Sequence, residues 1–204
     1  MASKRKGVEI YTESRIRRIL NSSEPGAQKA SFANLRRGVG KAPGELPQLW
    51  GEFLLDMPEK LFGRDGQPSR EEWAIYTALT LFALHQQGHD PGTEPMHCDG
   101  QRLGTAVGQL VKWENEEQFK SDLNRVLRRL NAAATTDSMP ALAHYLRGLV
   151  QLLSADSIPL DYTALAGDIY EYQNPEKAAQ IRLRWGQDFY GTIYKASKKE
   201  DEAL

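Results

Sequence analysis

The chain has a single cysteine, Cys98, among its 204 residues, and it has no apolar run long enough to cross a bilayer. One cysteine excludes an internal disulfide and suits a reducing compartment. A membrane-spanning helix needs about 20 consecutive apolar residues. The opening MASKRKGVEI has no apolar run behind its charges, so we expect no secretory signal. We therefore predict a cytoplasmic protein that has no membrane partner.

The chain also lacks the motifs of common enzyme classes, such as Gly-x-Ser-x-Gly and His-Glu-x-x-His. GVGK at 38–41 is not a phosphate-binding loop, because Leu35 and Ala42 stand where that motif requires Gly and Ser or Thr. One short region concentrates residues that could bind a metal, without a second ligand pair at zinc spacing. Its members are His85, His89, His97, Cys98 and Asp99. We predict no catalytic residue, no metal and no cofactor.

Alternating strand patterns and Asn-Gly hairpin signals are missing, whereas helical patterns recur along the chain. The most apolar stretch is Ser69–Gln87, which begins with Ser69 and Glu72 in the spacing of a capping box. A helix that is apolar on all sides belongs in the interior of a globule. We therefore predict an all-α fold, a compact bundle of about eight or nine helices around a buried central helix.

Composition along the chain divides it into three parts. Residues 1–9 are predicted to be a flexible basic tail, residues 10–196 a single all-α domain, and residues 197–204 a charged tail. The segment between Gly88 and Gly100 is rich in turn-forming residues and is predicted to be a surface loop. A division of the domain into two helical halves near 88–100 is the alternative.

The net charge of −1 is the balance of opposed blocks. Residues 1–41 hold ten Lys and Arg against three acids, and residues 42–101 hold three against ten. Such blocks either create two faces of opposite sign, which would attract a polyanion and a basic partner, or neutralise each other in the folded protein.

The clearest candidate for binding is the predicted helix 115–131. Phe119, Val126 and Leu130 fall on one side of it, and three arginines fall on nearly the opposite side. Guanidinium groups suit phosphate, so these arginines and neighbouring cations could form a track for a nucleic-acid backbone. The candidate residues are Arg36, Arg37, Lys41, Arg102, Lys112, Arg125, Arg128, Arg129 and Arg147.

Each of these patterns also has a simpler explanation. The arginines could be a solvated face with Glu117 and Asp122 as partners. Helix capping explains Asp161, and surface solvation explains Asp168 and Glu171. The aromatic residues of the last two predicted helices could stack on bases, although helical spacing favours packing in the core. They are Tyr170, Tyr172, Trp185, Phe189 and Tyr190.

Five segments in order and spacing resemble one known family. They are LRRGVGKAPGE (35–45), ALTLFALHQQG (78–88), RLGTAVGQL (102–110), IPLDYTALAGDIYEYQ (158–173) and RLRWGQDFY (182–190). Together they resemble the CasB family, the small subunit of the type I-E CRISPR Cascade surveillance complex. The resemblance covers about residues 10–192.

The resemblance implies an all-helical, non-catalytic subunit that needs no metal. It implies the large subunit, the backbone subunits, CRISPR RNA, target DNA and the displaced single strand as partners, and a head-to-tail homodimer within the complex. The family's basic regions match Arg36, Arg37, Lys41, Arg102, Arg125, Arg128, Arg129 and Arg147. The function implied is stabilisation of opened target DNA, the R-loop, in antiviral defence. The alternative is a helical subunit that contacts only proteins.

Overall fold

The computed structural model describes residues 3–113 and 115–201, with side chains up to residue 198. Its nine α-helices are α1 (Lys4–Leu20), α2 (Pro25–Arg37), α3 (Trp50–Phe53), α4 (Arg70–His85), α5 (Leu103–Gly108), α6 (Glu116–Thr135), α7 (Met139–Ala155), α8 (Tyr162–Tyr172) and α9 (Pro175–Asp201). Short 3-10 turns occupy Pro47–Leu49 and Glu59–Leu61. These described residues form no β-strand, so the all-α prediction is confirmed.

Helix α4 is the buried central helix that the sequence predicts. Ser69 Oγ accepts a 2.9 Å hydrogen bond from the amide of Glu72, whose carboxylate accepts a 2.7 Å bond from the amide of Ser69. This capping box satisfies amides that a helix start otherwise leaves without partners. Thirteen of the 16 residues of α4 are buried, which places it in the interior. It packs against α1, α2, α7 and α8.

All nine helices contribute to one hydrophobic cluster, which includes residues on both sides of the 88–100 loop. Helix α5 lies against α9 without intervening side chains at Gly104 and Gly108. Only glycine allows this approach, since a Cβ atom at Gly104 would lie 2.3 Å from the carbonyl oxygen of Trp185. Helix α6 packs mainly on α7 and leaves its opposite side exposed.

The prediction of a flexible basic tail at residues 1–9 is wrong from Lys4 onward. Ser3 caps α1, and Lys4 and Arg5 in its first turn form ion pairs. Arg5 donates a 3.0 Å hydrogen bond to Asp168 and a second bond to Glu171, both on α8. Asp168 is only 2% exposed, so surface solvation does not explain it. Arg5 also pairs with Glu9 at 2.8 Å, but Asp168 and Glu171 lie more than 160 residues away along the chain, where no local pattern reveals them.

Other boundaries differ from the predicted ones. Helix α9 runs to Asp201, so the charged tail predicted for 197–204 is helical over its first five residues, and 202–204 lie outside the described residues. Helix α5 is only six residues long and is followed by a turn. Trp50 is 51% exposed although it begins a helix that contributes Phe53 to the core.

Candidate nucleic-acid interface

Helix α6 separates its two sides as its spacing predicts. Val126 and Leu130 are buried, and Phe119, Leu123 and Leu127 pack against the core. Arg125, Arg128 and Arg129 are all exposed on the other side. Among the described residues, neither Arg128 nor Arg129 has a carboxylate within 4 Å. Two guanidinium groups are therefore available here for an external anion.

Asp122 connects two of the candidate cations. Its carboxylate lies 2.9 Å from Arg125 Nη2 and accepts the backbone N–H of Lys112. Burial raises the pKa of Asp122, but hydrogen bonds from Gln118, Arg125 and the Lys112 amide outweigh burial and lower it. Asp122 therefore stays ionised and holds Arg125 at the edge of the α6 face. Lys112 also pairs with Asp156 at 3.1 Å.

A second basic cluster lies at the end of α2. Tyr76 donates a 3.1 Å hydrogen bond to the carbonyl oxygen of Gly38 and fixes this helix end against α4. Arg37 is exposed, Arg36 is half-buried, and Lys41 lies 3.8 Å from the carboxylate of Glu45. Cations at a helix C-terminus are favoured by the helix dipole, so the position itself stabilises Arg36 and Arg37.

Lys29 is a basic residue of this region that sequence reasoning missed. With Arg36 it lines a groove of about 920 Å³ between α2 and residues 86–92. The two residues stand seven positions apart on one helix, and this i, i+7 spacing was the available signal. Gly88 and Gly92 form part of the opposite wall, so the backbone there is open to a ligand.

The remaining candidates lie apart from these clusters. Arg102 precedes α5 and lies 3.4 Å from Asp188 on α9, and Arg147 is exposed on α7. Within the described residues no hydrogen bond or ion pair joins the α2 cluster to α6. The four predicted residues that pair with carboxylates are Lys41, Arg102, Lys112 and Arg125. A pair between exposed side chains, such as Lys41 with Glu45, contributes only about 0–1 kcal/mol, so a phosphate can replace the carboxylate there.

The histidines among the residues that could bind a metal take part in internal hydrogen bonds. His97 Nε2 lies 3.2 Å from Glu13 Oε2 and 3.5 Å from Asp99 Oδ1. The backbone N–H of Tyr162 donates to His97 Nδ1 at 3.2 Å, so we assign the proton of the neutral imidazole to Nε2, which donates to Glu13. Both ring nitrogens are therefore engaged in hydrogen bonds that connect α1, the 88–100 loop and α8. His89 instead bonds Ser154.

Most of the aromatic residues near the end of the chain belong to the core. Trp185 and Phe189 are buried, and the rings of Tyr172 and Trp185 stack with an interplanar angle of 9°. Tyr190 is 53% exposed and Tyr170 is half-buried. The structure therefore favours packing over base stacking for Tyr172, Trp185 and Phe189.

These features define a class: all-α proteins whose basic side chains lie on open helix surfaces around a buried central helix. The family model of the CRISPR-associated protein Cse2 matches residues 31–190. The chain belongs to this family, whose members are structural subunits of the CRISPR Cascade complex and include CasB.

Two solved structures are similar to this chain. CasB from Thermobifida fusca is 31% identical, with a TM-score of 0.69 over 90% of this chain and 97% of that one. CasB from M. ruber is 20% identical, with a TM-score of 0.62 over 92% of this chain and 97% of that one, which is a likeness of fold. A comparison with curated proteins found no match. No helix in the described part of the chain has the length and apolarity needed to cross a membrane.

Proposed function

We propose that this chain is a non-catalytic Cascade subunit that binds the nucleic-acid backbone and stabilises opened target DNA. The observation that carries this function is the α6 face, on which three exposed arginines occur within five residues and two have no carboxylate partner among the described residues. A planar guanidinium group that is not paired inside the protein can bind phosphate through two parallel hydrogen bonds.

The contribution to target opening would be thermodynamic. Pairing of the guide RNA with its target is nearly balanced against the DNA duplex that it replaces. Contacts to phosphate that do not depend on sequence can therefore shift this balance toward the open state. In this assembly the ligands would be CRISPR RNA, target DNA and the displaced strand, beside the large and backbone subunits and a head-to-tail second copy.

A catalytic role is not part of this function. The strongest candidate for a general base in the acidic block 42–101 is His97, and both of its nitrogens already serve structural hydrogen bonds. Removing a proton from a substrate would require breaking the bond to Glu13 or that to Tyr162. Asp161 is already used to cap α8, where it accepts a hydrogen bond from the amide of Ala164.

The test is binding of purified protein to fluorescent single-stranded DNA, duplex DNA and RNA across a salt series. Each phosphate contact on a single strand contributes roughly −0.7 to the log–log salt slope. Replacing Arg125, Arg128 and Arg129 together by alanine should therefore make the slope shallower by about 2. Alanine keeps the helix propensity of α6 high, so the variant should fold.

Lys120→Ala is the matched control, because Lys120 is an exposed cation on α6 that is already paired with Glu116. It should leave the slope almost unchanged. The alternative function, a subunit that contacts only proteins, is favoured by the four candidate cations that have carboxylate partners. Equal nucleic-acid affinity of wild type and triple variant, together with failure of the triple variant to enter the complex, would establish that alternative.

A further inference from the structure

A separate cavity of about 450 Å³ lies where the N-terminal ends of three helices meet. Its walls include the first residue of α4 (Arg70), the cap and first residue of α7 (Ser138 and Met139), and the first turn of α9 (Pro175 and Ala178). None of the nine candidate nucleic-acid-binding residues lines it. A cavity of this volume lies in the usual range for small-molecule sites, about 300–1,000 Å³.

Two guanidinium groups line this cavity. Neither Arg70 nor Arg182 has a carboxylate within 4 Å among the described residues, and both side chains are exposed. The Arg182 guanidinium lies 5.3 Å from the centre of the Tyr172 ring, an attractive cation–π arrangement. The other lining residues with polar side chains are Asp137, Ser138 and Gln173.

Tyr172 forms part of the cavity wall, and both its ring and its hydroxyl group are held by neighbouring residues. The Tyr172 ring stacks on Trp185, and its hydroxyl lies 2.6 Å from the carbonyl oxygen of Thr136. That hydroxyl also lies near the carbonyl oxygens of Ala133 and Ala134, so it covers the C-terminal end of α6. The negative end of the α6 dipole is therefore partly neutralised where α6 reaches this cavity.

The charges around the cavity favour an anion with more than one negative charge. Arg70 and Arg182 supply two positive charges, and each of the three helix N-termini acts as roughly half a charge. Among the described residues, Asp137 is the one carboxylate in the lining. The C-terminal ends of α6 and α8 also reach this cavity and together offset about one positive charge. The balance is an excess of about 1.5 positive charges, which suits a phosphate monoester of charge about −1.5 to −2 at pH 7. A carboxylate or an internal phosphodiester carries one negative charge.

We propose that this cavity binds a phosphate monoester, held between the guanidinium groups of Arg70 and Arg182. The group would be carried by a free nucleotide or by the 5′ end of a nucleic-acid strand. The site is separate from α6, so it does not depend on backbone binding by the arginines there.

The direct test is isothermal titration of the full chain with AMP, with adenosine, and with adenosine 3′,5′-cyclic phosphate, which is a singly charged diester. AMP should bind most tightly, adenosine should not bind, and the diester should bind roughly tenfold more weakly than AMP, since a factor of ten corresponds to only about 1.4 kcal/mol. AMP affinity should rise between pH 5 and pH 7, because the second phosphate proton has a pKa near 6.

Variants localise the site. Arg70→Gln and Arg182→Gln should each weaken AMP binding by roughly ten- to a hundredfold, the loss expected for one charge-assisted hydrogen-bonding partner. Arg64→Gln removes an exposed arginine outside the cavity lining and should change nothing. Replacing the three α6 arginines by alanine should leave AMP binding intact, so failure of the backbone-binding function and failure of this site are distinguishable. Thermal unfolding checks that every variant is folded.

The source of the phosphate is resolved by comparing a 5′-phosphorylated oligonucleotide with its 5′-hydroxyl counterpart. Tighter binding of the phosphorylated strand, abolished by Arg182→Gln, assigns the site to strand ends. AMP binding without a difference between the two strands assigns it to free nucleotides. Absence of AMP binding together with equal strand affinities, or AMP binding that ignores both Arg variants, would overturn the site. Binding of an acidic peptide in place of AMP would also overturn it.

Discussion

Trp185 Nε1 donates a 2.8 Å hydrogen bond to Asp168 Oδ2, which joins α9 to α8 in the interior of the protein. The same carboxylate accepts hydrogen bonds from Arg5 of α1 and from Arg184 of α9. One buried acid therefore connects three helices. A buried carboxylate is stable only when it is paired and hydrogen-bonded, and Asp168 meets this condition with three donors.

Removing this acid should be strongly destabilising. In Asp168→Ala, Arg5 and Arg184 lose a shared anion in a mostly buried setting, and the free energy of unfolding should fall by about 3–5 kcal/mol. Urea unfolding followed by circular dichroism measures this loss. Asp65→Asn is the control, because Asp65 is exposed and its positive φ of 54° is one that asparagine tolerates. A loss below about 1 kcal/mol for Asp168→Ala would show that the network is not cooperative.

Acid should destabilise the protein in part through His85. This histidine is fully buried beside Tyr162, and burial, with a smaller effect of His89, lowers its pKa from 6.5 to about 4. Between these pH values the unfolded chain binds a proton that the folded chain does not. The contribution of neutral His85 to the free energy of unfolding is therefore fully present above pH 6.5. It should fall by about 1.4 kcal/mol per pH unit as the pH drops toward 4, a loss of about 3 kcal/mol in total.

The readout for His85 is the slope of unfolding free energy against pH. Between pH 6.5 and pH 4, the slope for His85→Leu should be smaller than the wild-type slope by the amount that corresponds to about one bound proton. Tyr162 keeps the carbonyl oxygen of Leu81 as an acceptor at 3.3 Å in this variant. His144→Gln, a change at an exposed histidine, should retain the wild-type slope. Parallel slopes for His85→Leu and wild type would contradict the assignment.

Two glycine-to-alanine changes should have opposite effects on the stability of the protein. A Cβ at Gly104 would lie 2.3 Å from the Trp185 carbonyl oxygen and 3.0 Å from the Phe189 amide nitrogen. Both contacts are with backbone, so α5 must move, and Gly104→Ala should cost about 1–3 kcal/mol. Gly186→Ala on α9 meets no atom within 4 Å and should stabilise by about 0.5–1 kcal/mol. Thermal melts of the two variants compare them directly, and equal melting temperatures would refute the close contact of α5 with α9.

The contribution of the Ser69 cap of α4 to stability should also be measurable. Ser69 accepts from the Glu72 amide and donates a 2.7 Å bond to the carbonyl oxygen of Leu61. Ser69→Ala removes both bonds and should cost about 1–2 kcal/mol in urea unfolding. Ser69→Asp keeps an acceptor for the helix amide, so it should recover part of the loss. An alanine variant as stable as wild type would mean that the cap is dispensable.

The sequence alone was sufficient for features that depend on local periodicity. The capping box and the continuous apolar run of α4 both act within a few residues, so they identify the central helix without knowledge of its neighbours. The separation of apolar residues from Arg125, Arg128 and Arg129 follows from the 100° rotation per residue of a helix, and the structure has the same two sides. Asp161 likewise caps α8 as predicted.

Tertiary structure decided whatever depends on partners that are distant along the chain. Lys4 and Arg5 are predicted from local sequence to be a solvated tail, yet they begin a helix in which Lys4 pairs with Glu71, and Arg5 with Asp168 and Glu171. The phosphate cavity requires Arg70 and Arg182, which are 112 positions apart and meet only because three helices begin at one place. A one-dimensional pattern records which side of a helix is polar, whereas packing in three dimensions decides what that side faces.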